Sequence, residues 1–420
     1  MRTPALHLLL ILLLTSCTRT DDRTHIEFWA LGREGEVVVE LTREFERRNP
    51  DIRVDVQQMP WTAAHEKLLT AFVGDSTPDL ALIGNSWIPE FEAIGAVADL
   101  TALAAQSSAV DQRDYFAGIW ATNLVDEKLY GIPWYVDTRV IFYRTDILRA
   151  AGFPEAPKTW SEWVRATAAI RKLGNEYAIL LPTNEWTQPI ALGLQVDAPL
   201  LRQGGRFGAF SEPRFRRAFE FYLDFFRRGD APVLSNSQVA NVYQQFAEGE
   251  FAMYITGPWQ IGEFRRRLPA SMQDKWMTAP LPAPDEKEWP GASLAGGGSL
   301  AIFEQSEKKE AAWKLIEFLS GPEQQVRFFE LCGDLPARRS AWSDPDLAND
   351  RHLAAFRTQL ENVKPTPAVP QWEQIATTVF DYAEAAIRGR YTAEGALAVL
   401  DAKTDAILEK RRWMLARRDE

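Results

Sequence analysis

Residues 26–56 read IEFWALGREGEVVVELTREFERRNPDIRVDV, and their pattern predicts the class of fold. Ile26 to Trp29 form a short apolar run that is typical of a strand. Apolar residues then recur every four positions from Val37 to Phe45 among charged neighbours, as on one face of an amphipathic helix. Pro50 ends that helix, and residues 52–56 alternate as a second strand. A strand, a helix and a strand in this order predict two parallel strands joined by a crossover helix.

The same alternation continues along the chain and predicts a parallel sheet with helices on both of its faces. After about residue 144 the pattern shifts towards helices, and Thr159-Trp160-Ser161-Glu162 is a capping box that opens one of them. The other predicted elements are helices over 62–72, 88–94 and 213–228, strands over 79–83, 140–143, 251–255 and 299–303, a crossing loop over 280–290, and helices to 319 and from 322.

Composition limits the class of protein before any motif is considered. The 420 residues are enough for two or three domains. A net charge of −11 argues against nucleic acid or an anionic membrane face as the main partner, because both require a basic surface. The 15 tryptophans exceed what a core needs, so some are expected to line a cleft. We expect core positions for six of them: Trp29, Trp120, Trp160, Trp163, Trp313 and Trp413.

The N-terminus predicts export and lipid attachment. A basic start is followed by an apolar run to Leu14 that is too short to span a bilayer. The run ends in Leu14-Thr15-Ser16-Cys17, which resembles the lipobox of bacterial lipoproteins. We therefore expect a signal peptide over 1–16, acylation of Cys17 and a short tether over 17–24. A plain secretory signal is the alternative. The other cysteine, Cys332, is interpreted as a small buried apolar residue.

Motifs for catalysis or metal binding are largely absent from the sequence. His65-Glu66 begins like a zinc-protease helix, but Leu69 stands where the second histidine is required. There is no Gly-Lys dipeptide for a phosphate-binding loop and no Gly-x-Ser-x-Gly for a nucleophilic serine. No cofactor or metal is predicted. A hydrolase that uses two carboxylates, drawn from Glu34, Glu36 and Asp137, stays open because spacing cannot exclude it.

Polar residues and tryptophans follow several predicted strands at the points where those strands end. In an open α/β sheet these carboxyl ends face the crevice where ligands bind. Aromatic rings can pack on the C–H faces of a sugar, while acids and amides bind its hydroxyls. Three tryptophans that follow turn residues, Trp87, Trp186 and Trp259, are therefore predicted to contact a ligand.

Several ordered motifs make the chain resemble bacterial ABC-transporter solute-binding lipoproteins of the maltose-binding, family-1 type. The motifs are Pro78-Asp79-Leu80-Ala81-Leu82, Gly131-Ile132-Pro133, residues 141–146, residues 246–253, Gly257-Pro258-Trp259 and residues 311–319. The resemblance covers nearly the whole chain after the signal. It implies an α/β, type II periplasmic-binding-protein fold whose two lobes, 25–136 plus 299–338 and 138–296 plus 340–420, close over a ligand.

The resemblance also implies a ligand site at the strand ends and between the lobes. Asp137 falls on the family's ligand carboxylate, and Trp259 and Trp372 fall on its stacking tryptophans. The full set of implied ligand-binding residues is Arg33, Glu34, Asn85, Ser86, Trp87, Tyr135, Asp137, Glu185, Trp186, Trp259, Gly297, Gly298, Arg338 and Trp372.

The function implied is that of a monomeric receptor that is not an enzyme. It would deliver an α-linked disaccharide or short oligosaccharide, of the trehalose or maltose type, to an ABC permease from a membrane-anchored position outside the cytoplasm. A polyol or glycerol-phosphate ligand and a secreted glycan hydrolase are the alternatives that the sequence leaves open.

Overall fold

The computed structural model describes residues 21–418, so Cys17 and the predicted signal peptide lie outside the described residues. The strands within that range are β1 (Thr24–Leu31), β2 (Ile52–Met59), β3 (Leu80–Gly84), β4 (Leu124–Val125), β5 (Lys128–Leu129), β6 (Ile132–Asp137), β7 (Val140–Arg144), β8 (Ile179–Leu180), β9 (Leu201–Arg202), β10 (Phe207–Gly208), β11 (Met253–Thr256), β12 (Trp276–Ala279), β13 (Ser293–Leu294), β14 (Gly296–Ile302), β15 (Leu335–Pro336) and β16 (Val363–Lys364).

The α-helices of the same part of the chain are α1 (Gly32–Arg48), α2 (Trp61–Val73), α3 (Ile88–Ala93), α4 (Thr101–Gln106), α5 (Ala117–Ala121), α6 (Thr145–Ala150), α7 (Trp160–Lys172), α8 (Thr187–Gln195), α9 (Pro213–Arg227), α10 (Val242–Glu248), α11 (Trp259–Arg267), α12 (Lys309–Leu319), α13 (Pro322–Cys332), α14 (Pro345–Ala348), α15 (Ala354–Leu360), α16 (Trp372–Ile387), α17 (Ala393–Ile407) and α18 (Glu409–Arg418). Between residues 21 and 418, none of them has the length and apolar character needed to cross a bilayer.

The larger sheet has six strands in the order β15-β6-β14-β3-β1-β2. β1 is parallel to β2 and to β3, as the βαβαβ pattern predicts. β14 is antiparallel to both β3 and β6, and β15 is antiparallel to β6. The prediction of a parallel sheet is therefore confirmed for β1, β2 and β3 and wrong for the whole sheet, because the chain enters β14 only after it has formed the other half of the molecule.

The second sheet has four strands in the order β12-β7-β11-β8. Helices α7, α8, α9, α16 and α17 supply most of the hydrophobic core beside it. The predicted apolar stripe on α9 is confirmed, since Phe215, Phe219, Tyr222 and Phe226 are all buried. The predicted cap of α7 is confirmed as well, because Thr159 Oγ1 accepts a hydrogen bond from the Glu162 backbone N–H at 3.1 Å.

The chain passes between the two halves three times: from β6 to β7, from β12 to β14, and between β15 and α15. The predicted loop over 280–290 belongs to the second passage. Short strands β13 and β16 bind the second passage to the third in parallel register. The Ser293 hydroxyl donates to the Arg139 carbonyl at 3.0 Å and so connects the second passage to the first. These connections produce the two-lobed α/β arrangement that the resemblance implies.

The tryptophans are distributed largely as predicted. Trp29, Trp120, Trp160, Trp163 and Trp313 are buried in the two cores, which confirms five of the six core assignments. The sixth is wrong: Trp413 lies on α18 with 55% of its surface exposed. Apolar residues nearby in sequence suggested a buried face, but the indole points away from the chain that α18 packs against.

Candidate functional site

A cavity of about 680 Å³ lies between the two lobes. It is bordered by the ends of β1, β3 and β6 in the larger sheet and by the starts of α8 and α11 in the other lobe. Its lining residues are Arg33, Glu34, Trp61, Gly84, Asn85, Ser86, Trp87, Tyr135, Asp137, Thr138, Arg139, Trp186, Thr187, Trp259, Leu294, Ala295, Gly296, Gly297, Cys332, Asp334 and Thr366. The strand ends thus meet at one crevice, as the sheet topology predicts.

The turn from β1 into α1 places Glu34 inside the cavity wall. Gly32 makes this turn with φ of +49°, and a Cβ atom there would lie 2.7 Å from Cδ1 of Trp61. Glu34 is 7% exposed, and its Oε1 accepts hydrogen bonds from Tyr135 Oη at 2.9 Å and from Trp61 Nε1 at 3.1 Å. Burial raises the pKa of Glu34, although these hydrogen bonds oppose the shift.

A second carboxylate, Asp334, lies in the same part of the cavity just beyond α13. Burial raises its pKa well above the ordinary value, and the negative charge of Glu34 raises it further. The Cys332 thiol donates to Asp334 Oδ2 at 3.3 Å and to the Phe328 carbonyl at 3.1 Å. The interpretation of Cys332 as a small buried apolar residue is therefore confirmed only in part, because Cys332 packs half-buried against the larger core while its thiol lines the cavity and bonds to polar atoms.

Asp137, at the end of β6, forms an ion pair with Arg139. Arg139 Nη1 donates to Asp137 Oδ1 at 2.6 Å and to Oδ2 at 2.8 Å. Burial raises the pKa of Asp137, and the guanidinium opposes that shift. The same guanidinium lies 4.8 Å from the ring centroid of Trp259. The Asp137 carboxylate, the Arg139 guanidinium and the exposed Trp259 ring thus form one connected group at the first passage between the lobes.

The turn Asn85–Trp87 follows β3 and presents three polar or aromatic side chains to the cavity. Asn85 is 6% exposed and its Nδ2 donates to the Ala295 carbonyl at 3.4 Å. The indole of Trp87 meets that of Trp61 edge to face at a centroid distance of 5.6 Å. Burial raises the pKa of Glu373 on α16 and the nearby Ser86 hydroxyl opposes that shift, so this turn also lies against the second lobe.

Most of the predicted ligand-binding residues line the cavity. Those brought together there are Arg33, Glu34, Asn85, Ser86, Trp87, Tyr135, Asp137, Trp186, Trp259 and Gly297. Gly297 has φ of +135°, and a Cβ atom would lie 2.2 Å from the Tyr135 carbonyl oxygen, so it lets β14 approach β6 closely. Arg33 lies at the exposed end of the site and forms an ion pair with Glu36 at 2.6 Å.

Four predicted residues do not line the cavity. Glu185 accepts from Asn236 Nδ2 at 2.8 Å, and Gly298 is buried against the Tyr135 ring. Arg338 donates to Asp114 Oδ2 and to the Ala109 carbonyl, each at 2.5 Å, and so ties loops of the first lobe together. Trp372 is 1% exposed, and its ring supports Trp186 edge to face at 5.8 Å.

Several cavity residues were missed by the sequence analysis. Arg139 could have been found, because it follows Asp137 by two positions where the strand leaves the sheet. Trp61 could have been found as an aromatic residue directly after β2. Cys332 and Asp334 carry no such signal, since only the folding of α13 against the larger sheet brings them to Glu34. Over residues 21–418, no three His, Cys, Asp or Glu side chains are grouped so that they could hold a metal ion.

Comparison with known proteins assigns the chain to a family. Residues 29–326 match the family model described as bacterial extracellular solute-binding protein. The sugar-binding protein MalE from the phytopathogen Xanthomonas citri is 49% identical, with a TM-score of 0.90 over 94% of this chain and 99% of that chain.

Two curated relatives are more distant. The diacetylchitobiose binding protein DasA of Streptomyces coelicolor is 25% identical over 86% of this chain and 84% of its own length. The arabinooligosaccharide-binding protein of Bacillus subtilis is 25% identical over 81% of each chain. The family match covers well over half of the sequence and agrees with the two lobes and the cavity between them. The chain therefore belongs to the family of bacterial extracellular solute-binding proteins.

Proposed function

We propose that this protein is the sugar-binding receptor of an ABC importer, and that it captures an α-linked disaccharide or short oligosaccharide of the trehalose or maltose type. The observation that carries the proposal is the cavity between the lobes, where Trp87, Trp186 and Trp259 lie beside Glu34 and Asp137. Its volume of about 680 Å³ lies within the range of small-molecule sites. The 49% identity to a sugar-binding protein supports the same ligand class.

The chemistry of the lining fits a sugar better than an ionic ligand. Indole rings offer flat apolar faces to pyranose C–H groups, and carboxylates accept hydrogen bonds from hydroxyls. A glycerol-phosphate ligand would meet the carboxyl groups of Glu34 and Asp334, and any negative charge on them opposes a phosphate. Arg139 leaves no free cation for that phosphate, because its charge is paired with that of Asp137.

The three passages between the lobes are the proposed hinge. We place the lobes at 25–136 plus 299–338 and at 138–296 plus 340–420, with ligand bound between them. Tyr135 and Asp137 come from one side of the first passage, and Trp186 and Trp259 come from beyond it. A ligand that touches both sets stabilises the closed arrangement.

The proposed partner is the transmembrane permease of the importer, to which the closed monomer delivers its ligand. We also propose that Cys17 is acylated and holds the protein at a membrane outside the cytoplasm. Cys17→Ser should then release the protein from the membrane fraction, and mass spectrometry of the native N-terminus should show a lipid-modified cysteine. An unmodified N-terminal residue other than Cys17 would refute the anchor without affecting the sugar site.

Calorimetry combined with product analysis tests the function. Trehalose, maltose and maltotriose are titrated against the protein, with mannitol and glycerol 3-phosphate as contrasting ligands. We expect one α-linked sugar to bind at one molecule per chain and to be recovered intact after prolonged incubation. Tight binding of only the polyol or the phosphate, or release of monosaccharides, would overturn the proposal.

A further inference from the structure

The last helix, α18, carries a charge opposite to that of the whole chain. Its ten residues, Glu409–Arg418, include five basic residues and one acidic residue, a net formal charge of +4. The complete chain has a net charge of −11. The net charge of the whole chain therefore does not exclude an anionic surface beside α18, because charges farther than a Debye length of about 8 Å from a surface are largely screened.

One face of α18 docks the helix onto the second lobe. Arg412 Nη1 donates to the Asp405 carbonyl at 2.6 Å and to the Arg206 carbonyl at 3.1 Å. Its guanidinium also lies 4.8 Å from the ring centroid of Phe207. These contacts hold α18 on the protein and fix which side of the helix faces outwards.

The opposite face of α18 presents cations together with large apolar side chains. Lys410, Trp413, Met414 and Arg417 are exposed, with 55% of the Trp413 surface and 44% of the Met414 surface accessible. At about 100° per residue these four positions share an arc of roughly 100°. The Arg417 guanidinium lies 3.8 Å from the Trp413 ring centroid, so charge and ring form one surface. This set of four residues is called the α18 face below.

We propose that the α18 face binds the surface of a bilayer that contains anionic phospholipids. Lys410 and Arg417 can form ion pairs with lipid phosphates. Trp413 can lie at the boundary between headgroups and acyl chains, where its apolar ring contacts the acyl chains and its N–H contacts water. An acidic protein surface could also accept these side chains. A bilayer is the better match, because the acylation proposed for Cys17 already places the chain beside one. The contact adds a second, reversible attachment and orients the second lobe towards the bilayer.

Vesicle flotation tests this contact with the full chain. All proteins carry Cys17→Ser, so no acyl chain can be added there, and residues 1–20 are the same in each. Vesicles contain equal parts of phosphatidylglycerol and phosphatidylcholine, or phosphatidylcholine alone. The charge variant is Lys410→Glu with Arg417→Glu, and the apolar variant is Trp413→Ala with Met414→Ala. Arg43→Glu with Lys172→Glu is the matched control, because both residues are exposed and the change in net charge is the same.

We expect the parent chain to bind anionic vesicles better than neutral ones. The difference should be lost at about 0.5 M salt, because the Debye length falls from about 8 Å at physiological ionic strength to about 3 Å at roughly 1 M. The charge variant should bind about thirtyfold less, since each basic residue near the surface contributes about 1 kcal/mol. The apolar variant should lose about tenfold, and the control should match the parent. Melting curves and sugar affinity should be unchanged in all variants, which separates this contact from the proposed sugar site.

Equal binding of the parent and the charge variant to anionic vesicles would overturn the proposal. So would a loss of the same size in the matched control, because total charge alone would then explain the binding. The bilayer would be refuted as the partner of the α18 face if the parent did not bind vesicles and the variants differed only in how much of an acidic protein they captured.

Discussion

Trp259 is the residue at which the proposed sugar site has its most exposed aromatic surface. Its indole is 40% exposed at the rim of the cavity, and the Arg139 guanidinium lies 4.8 Å from the ring centroid. Gly257 lies against the same ring, where a Cβ atom would fall 2.0 Å from Cζ3. A pyranose that stacks on Trp259 must therefore displace Arg139 or pack beside it. Such exposure also argues against a purely structural role in the core.

Trp259→Ala should weaken sugar binding by about ten- to one-hundredfold, as calorimetry would measure. Burial of roughly 50–100 Å² of indole against sugar C–H groups contributes about 1–3 kcal/mol. Trp413→Ala is the control, because it removes another exposed tryptophan from a surface outside the cavity. An unchanged dissociation constant for Trp259→Ala, with a lower melting temperature, would instead assign this residue to stability.

Asp334→Asn should stabilise the protein at neutral pH. The pKa of Asp334 is raised by burial and by Glu34, so the folded state holds this proton more tightly than the unfolded state does. The stability gained from that proton is complete below the ordinary pKa of 3.8 and is lost as pH rises through the raised pKa. Asparagine cannot ionise, so the variant should melt a few degrees higher near pH 7, at about 2–4 °C for each kcal/mol. Melting curves from pH 3 to 8 measure the difference.

Asp350→Asn is the control of opposite sign. Burial acts to raise the pKa of Asp350, but hydrogen bonds from His352 and Arg265 outweigh it and lower the pKa. Its stabilisation is present above the ordinary pKa and is lost as pH falls, so this variant should be destabilised near pH 7. Destabilisation of Asp334→Asn at neutral pH would contradict the prediction. It would mean that the ionised Asp334 carboxylate is stabilised by a hydrogen-bond donor or cation other than the contacts described above.

At the scale of elements, the passage from β6 to β7 is both a connection and part of the site. Asp137 ends β6, Arg139 follows it, and the backbone N–H of Arg139 donates to Ser293 Oγ of the second passage at 3.2 Å. A ligand bound to Asp137 thus acts directly on the segment that joins the lobes.

Asp137→Asn should lower sugar affinity by about ten- to one-hundredfold while the fold survives. Each charge-assisted hydrogen bond from a ligand hydroxyl is worth about 1.5–3 kcal/mol, and asparagine retains only part of it. Asp146→Asn is a matched control outside the cavity, because Asp146 forms an ion pair with Arg144, also two residues away, at 2.8 Å. Calorimetry on both variants measures the change, and unchanged affinity for Asp137→Asn would leave Asp137 only its role in the hinge.

Elements with local signals were predictable, and those formed by distant segments were not. The Thr159 capping box and the apolar stripe of α9 lie within a few residues, so the sequence shows both directly. The place of β14 between β3 and β6 depends on segments far apart in the chain. For the same reason the sequence does not show that Asp334 lies near Glu34 or that Arg338 binds Asp114. The family resemblance implied both Trp186 and Trp372 as ligand contacts and could not show that Trp372 packs behind Trp186, away from the cavity.

In the whole molecule the lobes already touch on one side of the cavity, where the turn Asn85–Trp87 lies against α16. On the open side of the cavity, we expect a bound ligand to draw the two lobes together. We expect saturating sugar to reduce the radius of gyration measured by X-ray scattering and to raise the melting temperature. A ligand at one hundred times its dissociation constant stabilises by about 2.7 kcal/mol.

The Asp137→Asn variant provides the control for closure, since the same sugar concentration is only about one to ten times its expected dissociation constant and should stabilise it by about 0.4–1.4 kcal/mol, so both changes should be smaller than in the parent. Equal radii of gyration for the free and saturated parent protein would contradict a hinge that closes on the ligand, even if the melting temperature rises.

β14 is placed between β6 and β3, although the whole four-stranded sheet precedes it in the sequence. Because the N-terminus is synthesised first, β1, β2 and β3 can pair early. Within the described residues, however, β6 bonds only to β14 and β15, which are synthesised much later. The larger sheet therefore stays incomplete until most of the chain has been synthesised, and closing so long a loop slows its assembly further. If the chain is exported unfolded, as its predicted signal peptide implies, this late completion of the larger sheet favours the unfolded state during transit.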